Sequence, residues 1–209
     1  MLALKSWATV AVVAVTLGFS ANSCLVEGKK GRVSMVEQQV MVLMKQLDTI
    51  DERSRSMLLS QVDVQRNELL GILLKHLGTS PSTNVHAAAI YLIGRHRLAE
   101  GTEDLVKRID FDPGRTPHVG PEPLWEKYPA MEALITIGKP SIKPTLELLA
   151  SDGSDLRRAL AVKVIRYVEG ADTALFVLQK AHDSEHDPNR KTMLTDAYGR
   201  MVKLISETR

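Results

Sequence analysis

Apolar residues recur at steps of three and four along most of this chain, which is the spacing of one face of an α-helix. The clearest stripes are Val36, Val40, Leu43, Met44 and Leu47, then Leu69, Leu70, Leu73, Leu74 and Leu77, and later Leu156, Leu160, Ala161, Val164, Ile165 and Val168. No segment sustains the apolar-polar alternation of a half-buried strand. Glycines and prolines separate the stripes, as at Gly138, Pro140 and Gly170. The pattern therefore predicts short helices joined by short turns, in an all-α fold.

Several of these helical segments resemble one another. AAIYLIG, residues 88–94, aligns with EALITIG, residues 132–138, and a third unit begins with LRRALAVKVIRYVEG at residues 156–170. Each is followed by a turn and a second apolar helix, and NRKTMLTDAYGRMVKLI at residues 189–205 closes the chain with half a hairpin. Small residues inside the first helices allow neighbouring helices to approach, and the glycines that end them allow the chain to reverse. Such self-similarity is typical of repeat architectures.

This pattern resembles HEAT-like helical repeats of the short bacterial type found in phycobilin-lyase-like proteins. ALITIGKPSIKPTLELLA, residues 133–150, carries the resemblance most specifically. It implies a short α-solenoid of stacked helical hairpins, HEAT/armadillo-like. The repeat is uneven, because the equivalent positions Ala89, Ala133, Ala161 and Leu194 are irregularly spaced and Arg166 stands where other units have glycine. A non-repetitive helical bundle is the alternative, and it too is all-α.

The first 24 residues, MLALKSWATVAVVAVTLGFSANSC, are typical of an export signal. Lys5 supplies the positive region, residues 7–19 the apolar region, and Ala21 and Ser23 the small residues of a cleavage site. An extracytoplasmic location follows, whether periplasmic, secreted or tethered to the outer side of a membrane. The predicted organisation is a signal peptide at 1–23, a linker at 24–32, N-terminal helices at 33–84 and HEAT-like repeats at 85–209.

Cys24, the only cysteine, leaves three fates open for this segment. Simple cleavage after Ser23 is the first. Lipid attachment to Cys24 is the second, as in bacterial lipoproteins, although Ala21 and Asn22 depart from the usual lipoprotein box. An uncleaved anchor is the third, since residues 6–26 carry no charge and nearly match the roughly 20 residues that span a bilayer. Basic residues at positions 29, 30 and 32 oppose that orientation.

Composition narrows the classes of function. The chain of 209 residues carries 27 Lys and Arg against 25 Asp and Glu, so no global charge favours nucleic acid. Aromatic residues are 4% of the chain, which also disfavours a base-stacking surface. One cysteine excludes an intramolecular disulfide, so packing must supply the stability.

One motif raises the question of catalysis. HDSEH, residues 182–186, places His182 and His186 four apart, with Asp183 where a zinc metalloprotease has its glutamate. On a helix those imidazoles share a face, which makes a metal-dependent hydrolase the alternative function. However, Asp187-Pro188 is typical of a new helix start, so HDSEH also fits a solvated turn. No nucleophile elbow or phosphate loop occurs, and we assign no catalytic, cofactor-binding or metal-binding residue.

Two other features carry alternative interpretations. The loop at 110–129 holds five prolines and two glycines in 20 residues, and Trp125 and Tyr128 in it either pack against the next hairpin or help to bind a partner. TSPSTN, residues 79–84, predicts a second loop, with Asn84 as a helix cap.

Basic pairs lie at 95/97, 107/108 and 157/158. They either align from one hairpin to the next as a basic ladder or form a mixed surface with the acids interleaved among them. Together these features predict an exported, non-catalytic protein-interaction module that binds a protein partner and no nucleic acid. Membrane contact is expected only through a lipidated Cys24 or an uncleaved signal. The resemblance also implies an accessory, lyase-like or chaperone role as an alternative.

Overall fold

The computed structural model describes residues 35–47, 53, 56–57, 59–60, 66–114, 118–119, 122–123 and 127–207. The predicted signal at 1–23, the linker at 24–32 and Cys24 lie outside the described residues. The described helices belong to the compact unit Val33–Arg209. Within the described ranges the protein is helical apart from one two-residue antiparallel pair, so the all-α prediction is confirmed.

Nine α-helices and one short hairpin are described. The helices are α1 Met35–Gln46, α2 Arg66–Thr79, α3 Thr83–Arg95, α4 Thr102–Lys107, α5 Pro129–Ile137, α6 Ile142–Ser151, α7 Asp155–Glu169, α8 Ala171–Ser184 and α9 Pro188–Glu207. Single 3₁₀ turns, Ala99–Gly101 and Lys139–Ser141, lead into α4 and α6. The strands β1 His118–Val119 and β2 Glu122–Pro123 pair antiparallel inside the proline-rich loop, with His118 opposite Pro123.

Helices that are two apart in chain order contact each other along the odd-numbered series. Each odd-numbered helix contacts the next, so that α1, α3, α5, α7 and α9 form one continuous series. Among the even-numbered helices, α2 packs on α1 and α3, α4 packs on α5 and α6, and α8 packs on α7 and α9. Helix α6 contacts α4, α7 and the long final helix α9. The apolar core therefore runs between the odd series and the even helices.

Most described residues of the predicted stripes lie in this core. Val40, Leu43 and Met44 of α1 are buried, as are Leu47 just after it, Leu69, Leu73 and Leu77 of α2 and Leu134 of α5, while Leu70, Leu74 and Val168 are partly buried against the core. On α7, Leu160 and the three stripe residues at 161, 164 and 165 are buried, whereas Leu156 is 45% exposed. Periodicity identifies the face of a helix but not where along it the neighbouring helices end, so the first-turn residue was wrongly included.

Helix boundaries follow capping chemistry that the sequence showed only in part. Ser82, not Asn84, caps α3, because its side chain accepts a hydrogen bond from the Val85 N–H at 3.4 Å. Helix α3 thus begins at Thr83, and the division proposed between residues 84 and 85 falls in its first turn. Asp187 caps α9 as predicted, since its Oδ1 accepts from the N–H groups of Asn189 and Arg190 at 2.8 and 3.1 Å.

The chain reverses after α3 without a glycine. Gly94 lies inside α3, and the residue in the left-handed region is Arg97, with φ 49°. The Leu98 N–H bonds to the Ile93 carbonyl and the Arg97 N–H to the Gly94 carbonyl. This is the Schellman pattern, and burial of both Leu98 and Ile93 completes its apolar contact. The expected reversal at glycine is therefore wrong for Gly94 but holds at Gly138 and Gly170, where φ is 85° and 81°.

Candidate functional site

A groove of about 570 Å³ lies between α6 and α8. Both helices pack on α7 and α9, and the groove opens between them. Its apolar lining consists of Ile142, Leu146 and Ala150 on α6, Val177 and Ala181 on α8, and Leu194 on α9. We refer to this feature as the α6–α8 groove.

Helical spacing aligns the apolar lining. Ile142, Leu146 and Ala150 are four residues apart, so they form a single stripe along α6. The same helix turns Thr145, Leu148, Leu149 and Ala150 to the core, where they are buried, whereas Ile142 and Leu146 are partly buried. Ile142 and Leu149 are seven residues apart and share a face, so α6 carries one broad apolar surface whose edge at Ile142 and Leu146 lines the groove.

An ion triad joins the groove's walls. Arg190, in the first turn of α9, donates from Nη2 to Glu147 Oε2 at 2.8 Å and from Nε to Glu185 Oε2 at 2.7 Å. Glu185 Oε1 also accepts from the backbone N–H groups of His186 and Asp187 at 2.9 and 3.0 Å. The bonds from Arg190, Asp187 and His186 lower the pKa of Glu185 to about 2, and the two carboxylates raise the pKa of Arg190. The triad thus fixes the turn between α8 and α9 and links it to α6.

Three lysines occupy the rim. Lys139, Lys143 and Lys180 line the groove and are exposed. Among the described residues none of the three forms an ion pair, whereas Glu147 and Glu185 share Arg190. Glu169 is the other carboxylate of the lining. With Arg190, the lining holds four basic and three acidic side chains, a net charge of +1, and its unpaired positive charge lies at the three lysines.

The structure separates the two histidines of HDSEH. His182 lies in the last turn of α8, with Nδ1 3.0 Å from Asp183 Oδ1, and this bond lowers the pKa of Asp183. Helix α8 ends at Ser184, so His186 lies beyond it and is exposed. The two imidazoles therefore do not share a helix face. Across the described part of the chain, no group of three or more His, Cys, Asp or Glu side chains is placed to hold a metal ion.

Several arginines of the basic pairs tie helices together. Arg108 donates to the Leu77 carbonyl at 3.2 Å, and Arg157 donates to the Val106 carbonyl at 3.2 Å. Arg158, with a side chain 9% exposed, donates to the Met193 carbonyl at 2.6 Å and lies 2.9 Å from Asp196 Oδ2.

Nearby acids complete these contacts. Arg108 also pairs with Asp104 at 3.7 Å, and Arg157 with Asp152 at 3.2 Å. At residues 108, 157 and 158 the guanidinium groups therefore pair with interleaved acids or with carbonyls of neighbouring helices, as in the mixed surface.

The described parts of the proline-rich loop pack at its base. Tyr128 is partly buried against the core, and Phe111 meets the His86 ring edge to face at 6.0 Å. Lys127 and Asp112, near the two ends of the loop, pair at 3.7 Å. Packing of Tyr128 is confirmed, while Trp125 lies outside the described residues.

The α6–α8 groove was missed at the sequence level, although a signal was present. The segment IKPTLELLA has an apolar surface wider than one packed face requires, which indicates that part of this surface stays exposed. Over the ranges that are described, no helix has the length and apolar composition needed to cross a bilayer.

Comparison with protein-family models found no match, and neither did comparison with curated protein sequences or with solved structures.

Proposed function

We propose that the chain is an exported, non-catalytic protein-interaction module whose α6–α8 groove binds a protein partner. One observation carries the proposal. Ile142 and Leu146 on α6 and Val177 and Ala181 on α8 stay partly exposed along a groove open to solvent, although the neighbouring apolar residues of α6 are buried. Apolar surface that folding leaves exposed in a recess is typical of a site where another molecule binds.

We further propose that the fold is a short α-solenoid of HEAT-like hairpins over residues 85–209. The continuous odd series and the contact between α4 and α6 support this, since neighbouring repeats contact each other in such folds. The last unit departs from a regular stack, because α9 packs on α6 as well as on α7 and α8. Stacked hairpins suit binding because they present extended surfaces.

The proposed cellular location is extracytoplasmic. The sequence of residues 1–23 supports export, and Cys24 at the proposed cleavage point supports lipid attachment as one of its outcomes. A partner is therefore expected among proteins of the envelope or the exterior.

Site-specific photo-crosslinking in the producing cell tests this proposal. The photoreactive residue p-benzoylphenylalanine is placed at Val177 or Ser184, which line the groove, and at Thr195, an exposed residue of α9 outside its lining. We expect a discrete protein adduct from the two groove positions and none from Thr195. Equal labelling at all three positions, or no protein adduct at the groove, would contradict the proposal.

A further inference from the structure

We infer that the occupant of the α6–α8 groove is an amphipathic helix of the partner protein, with acidic residues beside its apolar face. This inference rests on the proposed function and specifies the ligand chemistry of that same site. It follows from three properties of the groove: the apolar side chains on both of its walls, the hydrogen bonding of the backbone in those walls and the charges on its rim.

The apolar lining fits one face of a helix. Ile142 and Leu146 on α6 are partly buried, as are Val177 and Ala181 on α8, so partly exposed apolar side chains line both walls of the groove. The residues of each pair are four apart, a distance of about 6 Å at roughly 1.5 Å per residue. Apolar residues at positions i, i+4 and i+7 of a partner helix span roughly 10 Å by the same rise, so its apolar face contacts both walls when the partner lies along the groove.

The walls of the groove favour a helical occupant over an extended one. Both α6 and α8 are helices whose backbone groups are bonded internally, so neither offers a strand edge to which an extended peptide adds. A partner that buries its backbone here must satisfy its own hydrogen bonds, and a helix does so. A planar bilayer also fits poorly, because the apolar residues line a recess between two helices.

The rim charges indicate acidic partner residues. Lys139 and Lys143 lie at the amino-terminal end of α6 and Lys180 lies on α8, all exposed and without ion pairs in the described ranges. Glu147 and Glu185 share the single guanidinium of Arg190, so that part of the lining keeps a net negative charge away from the lysines. Carboxylates of the partner therefore gain most near the lysines, and rim charges of this kind set specificity and association rate.

Selection from a displayed library of 14-residue helical peptides tests the inference on the purified protein. We expect the enriched peptides to carry apolar residues at i, i+4 and i+7 with Asp or Glu beside them. Their affinity should fall about tenfold for the double variant Lys143→Glu with Lys180→Glu, and peptides with Lys in place of the acids should recover it. The matched control, Lys45→Glu with Lys163→Glu, reverses two exposed lysines outside the groove and should bind as the parent does.

Several outcomes would overturn the inference. Enrichment of basic, extended or proline-rich peptides, no enrichment, or equal loss in the control variant each contradict it. An adduct at Val177 with the mass of two copies of this chain would make the occupant a second copy. Binding of phosphatidylglycerol vesicles through the same lysines would make it a membrane. A groove adduct with another protein, without acidic helices from the library, would sink this inference and leave the proposed function standing.

Discussion

Gly94 of α3 lies directly against Ala133 of α5. A Cβ atom added to Gly94 would come within 2.7 Å of both the Cα and the Cβ of Ala133. These two residues occupy neighbouring repeats in the sequence alignment, and together they allow the backbones of α3 and α5 to approach closely. The glycine is therefore required by helix packing, since the chain reverses three residues later at Arg97.

Gly94→Ala should destabilise the protein by about 1–3 kcal/mol, because the added methyl group overlaps backbone and Cβ atoms of Ala133 that cannot move unless the backbone shifts. Gly199→Ala is the matched control, since Gly199 lies inside α9 with nothing within 4 Å of an added Cβ. That change should stabilise the protein by about 0.5–1 kcal/mol through helix propensity. Urea unfolding measures both, and a neutral Gly94→Ala would show that α3 and α5 separate without cost.

Arg158 should matter more for stability than Arg200, although both pair with Asp196. The Arg158 side chain is 9% exposed and also bonds the Met193 carbonyl, whereas that of Arg200 is 32% exposed. Arg158→Met should lower the free energy of unfolding by about 1.5–3 kcal/mol, the range for hydrogen bonds to a charged group. Arg200→Met should cost about 0.2–1 kcal/mol, as exposed ion pairs do. Similar losses in the two variants would count against Arg158 as a link between α7 and α9.

The ion triad at the groove should make the stability of the protein depend on pH in the acidic range. The pKa of Glu185 is about 2, below its ordinary 4.5, because of its bonds to Arg190 and to two backbone N–H groups. Its contribution is therefore complete above pH 4.5 and is lost as the pH falls toward 2. Melting temperatures of the parent should exceed those of Glu185→Gln at pH 7, and the gap should close across that range. Glu169→Gln, also in the groove lining, should leave no such gap, and a gap that persists at pH 2 would contradict the assignment.

Processing at Cys24 is predicted from sequence alone. The mature amino terminus should be residue 24 or lie within a few residues of it. If Cys24 is lipidated, the protein should partition into detergent, and Cys24→Ala should move it to the soluble fraction. Mass spectrometry of the native protein checks both points. An intact Met1 would exclude export by cleavage, and an unmodified Cys24 would exclude lipid attachment alone.

Removing both histidines of HDSEH should leave the protein folded and its partner binding intact. A catalytic zinc site needs three protein ligands and an open position, and His186 lies beyond the helix that carries His182. The purified protein should hold no stoichiometric zinc. Elemental analysis that finds one tightly bound metal per chain, lost in the double variant His182→Ala with His186→Ala, would falsify the assignment of these residues to a simple turn.

Local patterns in the sequence account for the helices and much of the core. The leucines of α2 predicted its buried face because a 3.6-residue period sets that face without reference to the rest of the chain. The cap at Asp187 was predictable for the same reason. The turn at Arg97 was not, because glycine is the usual residue there; the backbone bonds to Gly94 and Ile93 and the burial of Leu98 accompany a non-glycine residue in that position.

The sequence alone therefore determined that the protein is helical, where most of its helices lie and which faces of them are apolar. Tertiary structure decided which part of each apolar face is packed and which part stays partly exposed. Ile142 and Leu149 are equally apolar in the sequence, yet Leu149 is fully buried and Ile142 lines the groove. That difference depends on how α6 and α8 both pack on α7 and α9, and periodicity within a single helix carries no information about such distant neighbours.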